Sequence, residues 1–304
     1  FFAVICGLLA FLILFGRAVR GVHGWIDLGS FRVQPADPAK LVLILLLAKY
    51  FSRRHIEIAN VRHILISGLY AFVLFVLVLL QPDFGSAIII ATVWLGMVAI
   101  SGISKRHLAT VLLGGLAGVG ALWCFVFEDY QRARLVSFLN PTADLLGTGY
   151  NAYQSVVAVG SGEMLGKGIG FGSQSRLLFL PEYGTDFIFA AFAEEWGFIG
   201  VSLLFALFAV IIWRLLGAAL RGATNFERLF AVGLALMLMS HATIHIGMNL
   251  GLLPVTGTPL PFMSYGGSHL FTEFIGIGIL MGMRRYARTA HPSDLGREAV
   301  DATP

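Results

Sequence analysis

Apolar residues in this chain run in long blocks, not at the spacing of an amphipathic helix or a half-buried strand. Residues 1–16 carry no charge, and 63–80, 85–103, 107–127, 187–213, 229–250 and 266–283 are comparably apolar. A helix that crosses a bilayer needs about 20 mostly apolar residues, so each block is expected to span a membrane. The stretch 38–51 is shorter. Its Leu41–Ala48 segment is wholly apolar between Lys40 and Lys49. Such a run is costly to leave in water, and it makes an eighth expected crossing. The chain starts at Phe1 inside a block, with no basic lead and no small-residue cleavage site. That start reads as a helix entered partway, from a truncation or fragment, rather than a signal peptide.

Composition agrees with a membrane protein. Hydrophobic residues make up 57% of the chain and charged residues 12%, roughly half the usual share of charges in a soluble domain. Mean hydropathy is +0.82. A soluble globule and a disordered chain are both excluded, since each needs more charge than this. The net charge of +4 points to no nucleic acid, because Lys and Arg mark cytoplasmic loops in a membrane protein. Lys49, Arg53, Arg54, Arg62, Lys105, Arg106, Arg214, Arg221, Arg228, Arg284, Arg285, Arg288 and Arg297 are 13 of the 21 basic residues. They fall on one side if the spans alternate. Cys6 and Cys124 both lie in apolar runs, which gives no basis for a disulfide framework.

The expected fold class is therefore all-α: a polytopic transmembrane helix bundle. A single membrane domain should occupy 1–286, with a cytoplasmic tail at 287–304. Three loops face the opposite side: 17–37, 128–186 and the Pro- and Gly-rich 251–265. The 128–186 loop is 59 residues long, and loops beyond about 15 residues are usually functional or disordered. Its aromatic residues suit folding back on the membrane face, with 150–159 as an interfacial helix.

Several polar residues need a reason. In Phe179-Leu-Pro-Glu-Tyr-Gly-Thr-Asp-Phe-Ile-Phe189, Pro181 and Gly184 break the chain before an apolar helix. Asp186 either caps that helix or faces a polar cavity as a general base, with Glu182 one turn earlier. Glu194 and Glu195 lie deeper in the same helix, as a structural ion pair or as functional acids at mid-membrane. Gln81-Pro-Asp-Phe-Gly-Ser86 has the same form, and Asp83 is again a cap or a site residue. His241, His245 and Asn249 share one helix stripe, better suited to hydrogen bonds between helices than to a metal. Lys167 and Arg176 flank the glycine-rich 168–172 segment, which suits a diphosphate at the membrane face.

These motifs together resemble the SEDS proteins (shape, elongation, division, sporulation), the RodA and FtsW relatives. The resemblance runs through Gln34-Pro-Ala-Asp-Pro-Ala-Lys40, Gln81-Pro-Asp-Phe-Gly85, Asp129-Tyr-Gln-Arg132, Gly149-Tyr150, Gln154-Ser155, Gly160-Ser-Gly162, Gly172-Ser-Gln-Ser175, Phe179-Leu-Pro-Glu182, Thr185-Asp-Phe-Ile-Phe189, Leu253-Pro-Val-Thr-Gly257 and Ser264-Tyr-Gly-Gly-Ser268. It covers nearly the whole chain, in order. Gly172-Ser-Gln-Ser-Arg176 and Leu260-Pro-Phe262 look more like RodA than FtsW.

The resemblance implies a peptidoglycan glycosyltransferase with ten membrane helices, of which the first two are missing here. It implies lipid II as substrate, a disaccharide-pentapeptide carried on undecaprenyl diphosphate. It also implies a class B penicillin-binding protein and the rod-shape machinery as partners. The bacterial cytoplasmic membrane is the implied location, with the long loop outside. The family's catalytic acid carries over onto Asp186 and its motif lysine onto Lys40. Asp37 stands where the family has Glu, and His245 and His269 stand where Asn and a small residue are usual. The expected reaction is inverting glycosyl transfer with Asp186 as base. Lys40, Asp37, Asp83, Glu182, Gln154, Gln174, Arg176 and Lys167 are the expected substrate-binding residues. A divalent cation, Mg or Mn, held by Asp37 or Asp83, is a further expectation. A lipid II flippase using Glu194, Glu195 and the histidine stripe is the alternative, and a noncatalytic scaffold for the penicillin-binding protein a weaker one.

Overall fold

The computed structural model describes residues 1–19, 22–27, 29, 32–53, 61–125, 132, 138, 149–177 and 179–289. Each expected span is helical: α1 (Phe2–Phe15), α2 (Ala36–Ser52), α3 (Val61–Leu79), α4 (Phe84–Ile100), α5 (Lys105–Phe125), α8 (Ile188–Leu220), α9 (Asn225–Asn249) and α10 (Gly267–Thr289). Between α5 and α8 lie α6 (Tyr150–Ser161) and the short α7 (Ser173–Arg176). Most of 126–148, and the tail from 290 on, lie outside the described residues.

Among the described residues α3, α5, α8 and α9 are long and apolar enough to cross a membrane, and α1 and α4 are shorter apolar helices. Large apolar side chains stay exposed on them, including Leu65, Leu69 and Phe72 on α3 and Leu203, Leu207 and Trp213 on α8. An apolar surface of this extent belongs against lipid. The protein is a multi-pass helical membrane bundle.

The core lies where α9 packs on α2, α4 and α8. Leu43, Ile44 and Leu47 of α2, Ile89, Ile90 and Val93 of α4, and Phe230, Leu234 and Leu238 of α9 are all buried there. Gly233 lets α9 approach closely: a Cβ there would stand 2.5 Å from Ile44 Cγ2 and 3.0 Å from Met97 Sδ. Fully apolar helices such as α4 have no polar face to expose, so their orientation comes from packing. In α5 no described side chain is buried.

The stretch 17–37, expected as a loop in an all-α chain, departs from that reading. It forms three short antiparallel strands, β1 (Arg17–Val19), β2 (Val22–Asp27) and β3 (Arg32–Val33), in the order β1-β2-β3. Val19 pairs with Val22, Ile26 with Val33 and Asp27 with Arg32. The Asp27 carboxylate accepts the Gly29 N–H at 3.1 Å, an Asx-type turn. Valine, isoleucine and tryptophan between glycines favour this over a helix.

A break inside α8 also changes the picture. Gly197 is non-helical, with φ 61° and ψ −165°. The helix therefore has a short entry piece, 188–196, and a long piece, 198–220, of about 35 Å. Glu194 and Glu195 end the entry piece; they do not sit deep in an unbroken span. Residues 163–168 run against the break and pair with it. Lys167 and Gly168 donate N–H groups to the Glu194 and Glu195 carbonyls at 2.9 and 3.0 Å, and Phe198 and Ile199 donate to the Glu163 and Met164 carbonyls at 2.9 and 3.2 Å. Backbone contact of this kind leaves no room for side chains. A Cβ on Gly166, whose φ is +77°, would fall 2.1 Å from the Glu195 carbonyl oxygen.

Gly166→Ala and Gly197→Ala should each destabilise the protein by at least roughly 1–3 kcal/mol, the usual cost of overpacking. Thermal unfolding in detergent measures this, and wild-type melting of both variants would contradict the packing described.

Candidate functional site

The segment after α9, 251–264, does not return to helix. It crosses the end of the bundle as an extended strap carrying Pro254, Pro259 and Pro261, and the bundle's polar side chains converge on it. A Cβ on Gly85, in the first turn of α4, would meet Thr258 Cγ2 at 2.5 Å and the Thr256 carbonyl at 3.0 Å. His245 Nδ1–H donates to the Thr258 carbonyl at 2.7 Å, and His241 Nδ1 faces the Pro259 carbonyl at 3.3 Å. Ser264 Oγ accepts the Leu260 N–H and donates to the Thr185 carbonyl, both at 2.8 Å. Tyr265 N–H donates to the Gly184 carbonyl at 2.9 Å.

These bonds bring the strap to Asp186. Its Oδ2 lies 3.6 Å from where a Gly257 Cβ would be, so the carboxylate rests over a bare stretch of backbone. Asp186 is half-buried in a turn, one residue before the helix N-cap, Phe187, which brings no capping side chain. Its carboxylate is thus not at the N-cap position of α8. Its carbonyl accepts a hydrogen bond from Asn249 Nδ2 at 3.0 Å. Glu182 is one turn away in a left-handed conformation, φ 58°, and its carboxylate accepts from the Thr185 hydroxyl at 3.1 Å.

A second group sits across the strap, among α2, α9 and α10. Asp37 and Lys40 are both buried in the first turns of α2, with Nζ 3.0 Å from Oδ1. The Lys40 ammonium also faces His241 Nε2 at 3.3 Å. An ammonium can only donate, so Nε2 accepts, the ring is neutral and Nδ1–H points at Pro259. His269 lies between two carboxylates, Nδ1 3.5 Å from Asp37 and Nε2 2.9 Å from Glu273. That is the setting of an imidazolium, although the Glu273 contact is poorly aligned and counts as an ion pair only. The other Glu273 oxygen accepts the Phe262 N–H at 3.0 Å.

Asp83 joins this group through Gln34, whose Nε2 donates to Oδ2 at 2.8 Å. Its Oδ1 accepts the Ser86 N–H at 3.0 Å and caps α4. Loss of water raises the Asp83 pKa above the usual value, against the pull of the Lys40 charge and the Ser86 N–H. Neither carboxylate fits a divalent cation well: Asp37 already faces Lys40 and His269, and Asp83 is taken by Ser86 and Gln34. Among the described residues no three His, Cys, Asp or Glu side chains converge as a metal site.

The remaining expected residues lie elsewhere. The Lys167 ammonium is 2.9 Å from the buried Glu194 carboxylate and donates to Ser173 Oγ at 2.8 Å. The Glu194 carboxylate also accepts from Ser173 Oγ and the Gln174 N–H, both at 3.1 Å. Glu194 is therefore a structural anchor for the 160–176 segment, and Lys167 is its counter-ion. Arg176 is exposed at the end of α7. Gln154 Nε2 donates to the Tyr150 hydroxyl at 3.2 Å on α6. The stripe of His241, His245 and Asn249 was expected to hydrogen-bond between helices, and it bonds α2, the strap and the start of α8. Reading the sequence did not single out Glu273, for which the i, i+4 spacing from His269 on an apolar helix was the available signal.

Lys40→Met should cost about 3–5 kcal/mol by leaving Asp37 buried without its lysine. Adding Asp37→Asn should recover part of that loss. Unfolding midpoints in detergent report both, and a single variant as stable as wild type would contradict a tightly coupled pair.

Comparison with known proteins places the chain among proteins of one kind. The FtsW/RodA/SpoVE family model, described as "Cell cycle protein", matches residues 1–289. The peptidoglycan glycosyltransferase MrdB of Escherichia coli (strain K12) is 40% identical over 274 residues, 90% of this chain and 74% of that protein. Stage V sporulation protein E of Bacillus subtilis (strain 168) is 37% identical over 289 residues, 94% of this chain and 78% of that one. A chain from a solved peptidoglycan synthase complex that coordinates polymerization and crosslinking superposes with a TM-score of 0.78 at 34% identity, covering 94% of this chain and 80% of that one. The rod shape determining protein RodA of Thermus thermophilus gives 0.68 at 31%, covering 94% and 76%.

Proposed function

Because this chain belongs to the FtsW/RodA/SpoVE family, we propose that it is a peptidoglycan glycosyltransferase that polymerises lipid II into glycan strands during cell elongation. The placement of Asp186 is the observation that carries the reading. The carboxylate is half-buried rather than sealed, lies over Gly257, and does not occupy the N-cap of α8.

The reaction we infer is inverting glycosyl transfer. A hydroxyl of the acceptor sugar attacks the anomeric carbon of the donor. The bond from that carbon to the diphosphate oxygen breaks, undecaprenyl diphosphate leaves and the anomeric configuration inverts. Asp186 takes the hydroxyl proton, a role typically worth about 10²–10⁴-fold. The diphosphate needs positive charge. Arg176, exposed on α7, is open to a ligand in solvent. Lys40 is enclosed by Asp37 and His241, so its charge acts on the site through the field rather than by touching phosphate. Lys167 is partly neutralised by Glu194 and contributes less. Glu182, one turn from Asp186, is the neighbouring carboxylate on the same turn, while Asp37, Asp83, Gln154 and Gln174 keep the partners described above. The apolar flanks of α3 and α8 suit polyprenyl chains, which keep the reacting groups at the membrane face. The protein works in the bacterial cytoplasmic membrane, with 128–186 on the outer side, beside a class B penicillin-binding protein of the rod-shape machinery.

The flippase alternative needs a polar path through the bundle. Glu194 is tied to Lys167 and to backbone N–H groups of the 173–175 turn, and His241 and His245 are bonded to the strap. Each of these groups is committed to a structural partner, which favours the transferase.

In the full-length protein with its penicillin-binding partner, Asp186→Asn should abolish glycan strand formation from lipid II while the protein accumulates normally in the membrane. Near-normal glycan product would reject Asp186 as the base.

A further inference from the structure

We propose that Asn249 is a positioning residue for this reaction, acting through Asp186; the inference rests on the function proposed above. Asn249 ends α9 and is fully buried. Its side-chain amide is used on every side. Nδ2 donates to the Asp186 carbonyl at 3.0 Å and to the His245 carbonyl at 2.8 Å, and Oδ1 accepts the Ala190 N–H at 3.1 Å. Ser155 Oγ of α6 donates to the Asn249 carbonyl at 2.8 Å, so the residue is held from a third helix. Only one orientation of the amide fits. Reversed, its NH₂ would face the Ala190 N–H and its oxygen would face two carbonyls.

The two ends of this bridge bracket the start of α8. The N-cap residue Phe187 supplies no capping side chain. Asn249 takes over part of that work from another helix, because Ala190 N–H is one of the donors that a first helical turn leaves without an intrahelical partner. The same amide holds the carbonyl of residue 186. Backbone is thus fixed immediately after the Asp186 Cα and again at Ala190, which sets the direction in which the Asp186 side chain leaves the chain. That direction is toward Gly257 and the strap, where the carboxylate is found. Asn249 bonds the Asp186 carbonyl, so it acts on where the base sits. Misplacing a catalytic group by about 1 Å can lower a rate by about 10²-fold.

The test uses the full-length protein with its penicillin-binding partner and lipid II as the probe, beside wild type and Asp186→Asn. Asn249→Asp keeps the shape of the side chain but sets an oxygen against two carbonyls. It should lower kcat about 10–100-fold and leave KM for lipid II within about twofold. Ser155→Ala, which loosens Asn249 without removing its two donor bonds, should lower kcat severalfold, again at constant KM. Should Asn249→Asp fail to accumulate in the membrane, the smaller and neutral Asn249→Ser carries the same expectation. A wild-type kcat in these folded variants, or a raised KM at unchanged kcat, would overturn the positioning role while Asp186→Asn stayed inactive. An active Asp186→Asn would instead reject the function on which the inference rests.

Discussion

An unpaired N–H or C=O costs more inside an apolar bundle than at a wet surface, because no water can replace the lost partner. This protein nevertheless keeps two stretches of non-helical backbone among its helices, the break at Gly197 and the strap at 251–264. Both persist because other parts of the chain supply their partners. Residues 163–168 pair with the break along its edge. His241, His245, Ser264 and Glu273 pair with the strap or its neighbours. The polar side chains of the bundle are arranged around these two irregular segments.

Charge is handled in the same way. Lys40, Asp37, His269 and Glu273 form one alternating buried row. Buried ion pairs add little net stability unless their geometry is good, but removing one member is costly. His269 of α10 is the second cation that reaches Asp37 of α2, after Lys40.

The carboxylates of the bundle differ in their settings. Asp37 is buried against Lys40 and His269, Asp83 caps α4, and Glu194 fastens the 160–176 segment. Asp186 and Glu182 are half-buried on the turn that leads into α8, beside the strap. At the start of the glycine-rich segment, residues 166–168 also have a structural use: their backbone fills the gap beside the broken helix.

Sequence alone determined the helices and their membrane setting, because long apolar blocks have only one good solution in a bilayer and every residue of the block contributes to the signal. It also drew attention to Asp186 as either a cap or a site residue, since an acid between chain breakers and an apolar helix stands out locally. The short strands at 17–33 were missed because glycines interrupt a weak alternating pattern. Whether Asp83, Asp186 or Glu194 capped a helix, anchored a loop or faced a cavity was decided only in the tertiary structure. Each of those roles depends on what residues 34, 167, 249 or 257 bring from far along the chain, and periodicity within one segment carries no information about such partners.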